Sequence, residues 1–163
     1  MMQPDSALWH YLSSDQRQLA IDGQLLIADR EQYPSEHLSD YSYLVFPFAK
    51  LYEGFLKQLF LDIGAIPERD YRSDHFRIGK ALSPNLARLL GQRSAYAWIA
   101  RRYSPALATE LWTTWKEGRN LIFHYFPHNI RRLTLEEAHR TISTIVETME
   151  RAVHITHVRA GIR

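Results

Sequence analysis

The chain has 163 residues, 45% of them apolar and 23% charged, and it contains no cysteine. That composition predicts one domain over residues 1–163 with enough apolar material for a core, which excludes disordered and fibrous classes; the missing thiols exclude a disulfide framework, a thiolate zinc site and a cysteine nucleophile. The net charge is only +2, yet the basic side chains are sixteen Arg against four Lys, and Arg is the cation whose planar fork fits phosphates and carboxylates.

The opening MMQPDSALWHYLSSDQ has neither the basic start nor the apolar stretch of a signal peptide, and the longest apolar run, Tyr43 to Ala49, is too short to cross a bilayer. A cytoplasmic protein without membrane association is expected. Apolar residues recur at three- and four-residue spacings with little strand-like alternation, so the fold is expected to be all-α. A short helix is predicted over Asp5 to Leu12, and a second, capped by Asp15, to about Arg30. Asp40 to Ile63 has one apolar stripe, Val45, Phe48, Tyr52, Phe55, Leu59 and Ile63, and reads as the central core helix. Pro47 either kinks it or marks its start. Short helices are expected over Asp74 to Leu82, Pro84 to Leu90 and Ser94 to Arg102. Ser104-Pro105 opens a long helix, with serine as cap and proline at the first position, running toward Phe126 and stopped by Pro127. Thr134 and Glu137 form a capping box for the last helix, whose stripe is Ala138, Ile142, Ile145, Met149, Ala152 and Val153. Three or four long helices of this kind suggest an antiparallel bundle.

The segment Arg119-Asn120-Leu121-Ile122-Phe123-His124 departs from generic helix chemistry. A bare search for Arg with His after four to six intervening residues returns five pairs: Arg30/His37, Arg69/His75, Arg119/His124, Arg132/His139 and Arg151/His157. Context separates them. Arg119 alone is followed by a polar residue, an apolar triplet and a His leading into aromatic sequence late in a core helix. That pattern resembles the Arg-x4-6-His signature of HEPN-domain ribonucleases, and the helical pattern over most of the chain agrees with the resemblance.

What the resemblance implies is metal-independent cleavage of RNA, with no cofactor. A 2'-hydroxyl attacks the adjacent phosphate once a base takes its proton, and an imidazole with a pKa near 6.5 suits that transfer. His124 would take the proton or protonate the leaving 5'-oxygen, and Arg119 would stabilise the charge on the phosphorane. Asn120 would position the phosphate or hold the Arg. The implied products are a 2',3'-cyclic phosphate and a 5'-hydroxyl. Five residues rotate an ideal helix by about 140°, so one straight helix does not aim Arg119 and His124 at one point. Either Gly118 bends the chain, or both residues converge on a cleft shared with a second copy, as in HEPN dimers whose motifs face each other. A homodimer with a composite site is expected. The resemblance also implies a toxin of a toxin-antitoxin or phage-defence system, with an antitoxin as partner.

Other residues admit two readings each. Arg119 could simply pair with Glu117 or Glu110, and His124 could cap a helix end. Lys50, Glu53 and Lys57 form either a solvated ion-pair stripe or a cleft-facing one in which Glu53 orients Arg119 or His124, as the acidic residue does in toxins of the RNase LS type. Lys116, Arg101, Arg102, Arg131 and Arg132 are candidate RNA contacts, while Trp112 and Trp115 read as core more readily than as base-stacking platforms. In toxins silenced by nucleotide transfer a Tyr sits two positions after the His; here that position is Phe126 and the Tyr is at 125. His124 with His128, and His154 with His157, have ligand-like spacings but no completing set, so no metal is expected. The runner-up reading is a non-catalytic HEPN-like helical protein that binds RNA or a protein partner.

Overall fold

The computed structural model describes residues 2–33, 38–124 and 131–158, and among these the chain forms helices and no strand. Helix α1 spans Ala7–Tyr11, with the Ser6 hydroxyl accepting from the Trp9 amide. Helix α2 spans Ser14–Gln32, and its cap is Ser13, not Asp15: the Ser13 hydroxyl accepts from the Gln16 amide while the Gln16 side chain accepts from the Ser13 amide. Asp15 instead occupies the first turn, where a carboxylate meets the positive end of the helix dipole. Helix α3, Ser42–Asp62, contains Pro47 in its second turn, so the Tyr43 carbonyl lacks its usual amide partner. Tyr43 is 39% exposed, which leaves that end of the helix open to water.

The connection after α3 carries two single-turn helices, α4 (Glu68–Tyr71) and α5 (Ile78–Ala81), in place of the longer helix expected over Asp74 to Leu82. A 3-10 turn at Pro84–Leu86 leads into α6 (Ala87–Leu90), and a second at Gly91–Arg93 leads into α7 (Ala95–Arg102). Ser104 caps α8, Pro105–Trp115. This helix does not continue to Phe126. It widens into a π-turn over Lys116–Asn120, closed by the Leu121 amide donating to the Lys116 carbonyl at 2.9 Å, and residues 121–124 are non-helical. Pro127, the expected stop, lies outside the described residues. Helix α9, Leu135–Thr156, starts at the Thr134/Glu137 capping box as its sequence dictates.

Pairwise contacts fix the directions of the long helices. Gln16 faces Gly54, Phe48 covers Gly23, and Arg30 Nη2 donates to the Tyr41 hydroxyl, so α2 and α3 are antiparallel. Thr114 and Thr148 share a buried hydroxyl hydrogen bond of 3.0 Å and Arg151 pairs with Glu110 at 2.8 Å, which makes α8 and α9 antiparallel as well. Helices α3 and α9 start together, because the Leu133 amide donates to Asp40 and the Tyr41 amide to the Leu133 carbonyl. The four long helices thus alternate in direction along the chain, but α3 and α9, which run the same way, pack side by side, with α2 flanking α3 and α8 flanking α9. Tyr52, Phe55, Leu59 and Phe60 of α3 are fully buried among Ala138, Ile145, Met149 and Ala152 of α9 and the rest of the core, each large side chain contributing about 1.5–3 kcal/mol of transfer free energy. The Tyr52 hydroxyl donates to the Leu111 carbonyl at 3.0 Å, and burial, aided by Glu110, pushes its pKa well above that of a free phenol. Among the described residues no helix is long and apolar enough to cross a membrane.

Candidate functional site

The π-turn presents the sequence motif. Inside it, Gly118 is buried against α9: an added Cβ would lie 3.1 Å from Ile145 Cδ1 and 3.2 Å from its Cγ1, so a larger residue would fit only if Ile145 gave way by a few tenths of an ångström. Such a turn inserts an extra residue into the helical ladder and re-aims the side chains beyond it. Arg119, the next residue, points across to α3, where its Nε donates to Glu53 Oε2 at 3.0 Å. It pairs with neither Glu117 nor Glu110; the latter is taken by Arg151.

Arg119 and Glu53 line a cavity of about 500 Å³ together with Lys50, Lys57, Phe46 and Phe123. The polar stripe of α3 therefore faces a cleft. Each side chain of the pair is 36% exposed, so the pair itself contributes below about 1 kcal/mol to stability. Its geometric consequence is larger. Because the bond uses Nε, the two Nη atoms, which have no partner among the described residues, remain as a fork for an anion entering the cavity beside Lys50 and Lys57.

His124 is exposed and lines an adjacent cavity of about 540 Å³, with Asp40, Tyr43 and Arg131. Phe46 and Phe123 belong to both cavities and meet edge to face, with centroids 5.7 Å apart. They form a wall between Arg119 and His124 within one chain. Asp40, in the His124 cavity, accepts from the Ser42 hydroxyl at 2.6 Å, from the Leu133 amide at 3.0 Å and from the Ser42 amide at 2.9 Å. Burial alone would raise its pKa, but these bonds and the nearby Arg132 outweigh it and hold the carboxyl below its ordinary value.

The remaining expected residues are dispersed. Asn120 ends the π-turn half-buried and lines neither cavity, and Lys116 begins the turn exposed and outside both. Arg101 and Arg102 are exposed at the end of α7, with Arg101 Nε donating to the Ala97 carbonyl. Arg132 lines a separate cavity of about 610 Å³ with the buried Arg30. Trp112 and Trp115 stack on each other at 5.6 Å and pack on the core, and Gly79 of α5 seats directly on the Trp115 ring. His154 and His157 have ring centroids 6.3 Å apart; among the described residues no three His, Asp or Glu side chains gather closely enough to hold a metal ion. Tyr125, Phe126 and His128 lie outside the described residues.

Sequence reasoning missed Phe46, Phe123 and Asp40. Phe46 was within reach, because it lies four residues before Lys50 and seven before Glu53 and so shares their helix face. Phe123 and Asp40 become site residues only through the chain path after Asn120 and the docking of α9. No family model, curated protein or solved structure matches the chain.

Proposed function

We propose that the chain is a metal-independent endoribonuclease of the HEPN kind, acting as a toxin of a toxin-antitoxin or phage-defence system. The observation that carries the reading is Arg119 held through Nε by Glu53, its fork left toward a cleft that also holds Lys50 and Lys57. In the reaction the RNA 2'-oxygen forms a bond to phosphorus as the bond to the 5'-oxygen breaks. His124 accepts the 2'-hydroxyl proton or delivers one to the departing 5'-oxygen, and Arg119 meets the charge that develops on the non-bridging oxygens. The products are a 2',3'-cyclic phosphate and a 5'-hydroxyl.

The experiment is cleavage of single-stranded RNA in the presence of EDTA. Arg119→Ala is expected to lower the rate by about 10²–10³-fold and His124→Ala by about 10²–10⁴-fold. Full activity in both variants, or an absolute requirement for added metal, overturns the assignment. The aromatic wall between Arg119 and His124 favours a second reading, a non-catalytic helical protein that binds RNA or a protein partner. The two part on expression in cells: growth arrest relieved by His124→Ala belongs to the nuclease alone.

A further inference from the structure

A fourth concavity, of about 280 Å³, lies on the short-helix connection, away from the candidate site, and is lined by Asp70, Phe76, Arg77, Lys80 and Arg93 among others. Its lining gathers three cations in one hollow. Arg72, Arg119, Arg140 and Arg151 each pair with a carboxylate, but among the described residues Arg77, Lys80 and Arg93 pair with none, and Asp70 is engaged by Arg69 at 3.6 Å. Arg77 is fixed from behind, its Nη1 donating to the Asp74 carbonyl at 2.6 Å. Three permanent cations around one small hollow repel each other and concentrate anions there. The volume lies just below the usual range of small-ligand sites, which suits a single phosphodiester unit and no longer stretch of chain. Phe76 adds an apolar surface on which a base can stack. The hollow is also tied to the π-turn: Gly79, next to Lys80, rests on Trp115, the last residue of α8 before that turn.

We propose that this hollow is a second subsite for single-stranded RNA, gripping a phosphodiester through Arg77, Lys80 and Arg93 away from Arg119. The proposal rests on the ribonuclease reading, but its test does not depend on cleavage. A fluorescent 2'-O-methyl RNA of about 15 nucleotides keeps its phosphates and lacks the attacking hydroxyl, so binding is read by anisotropy across a salt series. For the combined variant Arg77→Gln, Lys80→Gln, Arg93→Gln, the slope of log K against log salt is expected to become shallower by about 2, with affinity about tenfold lower. All three side chains are exposed, so the fold should persist; if circular dichroism shows otherwise, Arg93→Gln alone is expected to change the slope by about 0.7. An unchanged slope overturns the subsite. Inorganic phosphate is titrated in parallel, and phosphate binding lost in the variant with an unchanged RNA slope also overturns it, in favour of a free-anion site. Cleavage that survives with an unchanged slope removes the subsite and leaves the nuclease; a shallower slope in a chain that cuts nothing does the reverse.

Discussion

The bond between Arg119 and Glu53 is weak as a stabiliser, and its weight in the proposed reaction is geometric. An ion pair with both partners 36% exposed adds little to folding, because water already solvates the charges and two long side chains must be ordered. What it fixes is the direction of the guanidinium fork, and a group displaced by an ångström loses much of its effect on a transition state. Glu53→Ala is therefore expected to lower kcat for RNA cleavage about tenfold while leaving the thermal midpoint nearly unchanged. Glu53→Gln keeps an acceptor for Nε and should recover most of that loss; a variant in which both substitutions act equally on activity, or in which the midpoint falls with it, assigns Glu53 to the scaffold. The pairing was half legible beforehand, since Lys50, Glu53 and Lys57 share one face of an otherwise apolar helix. Its partner was legible only as an Arg in a motif. Nothing local to Glu53 marks which of sixteen Arg it would meet, because that contact spans 66 positions of chain.

Among the elements, the caps of α8 and α9 were readable, that of α2 was placed at Asp15 in place of Ser13, and the form of the irregular turns was not readable. Thr134 with Glu137 and Ser104 with Pro105 satisfy orphan amides locally, so their sequences announce them. In the π-turn, Lys116–Asn120, a bend at Gly118 was one of two expected alternatives, but its π form and the packing of Gly118 against Ile145 depend on another helix. The end of α8 was accordingly placed too late. Asp40 belongs to the same class: its sequence reads as the start of the central helix, yet it lies just ahead of α3 and fastens that start to the start of α9 by accepting from Ser42 and Leu133. Because its carboxyl is depressed in the folded chain, its charged form is the one that folding favours. Its contribution is fully present above the unfolded value near 3.8 and is lost as pH falls through the lower folded value. Asp40→Ala is expected to cost about 1–3 kcal/mol in urea unfolding at neutral pH, and the gap from the parent chain should narrow below about pH 4. A gap that stays constant down to acid unfolding would show that the charge of Asp40 plays no part.

At the scale of the whole molecule, the proposed reaction needs Arg119 and His124 together, and one copy holds them in separate hollows. The two side chains open into neighbouring hollows on either side of Phe46 and Phe123. Around that wall lies exposed apolar surface: Phe46 is 55% exposed, and Leu26 and Tyr43 39% each. Apolar surface gathered at a site is a common mark of an interface. A second copy docked there by a two-fold axis would cover these side chains and bring its own His124 toward the first copy's Arg119, since such an interface is self-complementary. This arrangement makes a prediction that a single-copy site does not. Arg119→Ala and His124→Ala, each inactive alone, are mixed and allowed to exchange. Half of the resulting dimers are mixed, and each mixed dimer holds one site with both native residues, so about one quarter of parental activity should return. A site contained within one chain gives no recovery at any ratio. Recovery that follows dimer formation, measured by analytical ultracentrifugation of the same mixtures, ties the chemistry to the interface; a monomer that cleaves RNA at full rate excludes the composite site outright.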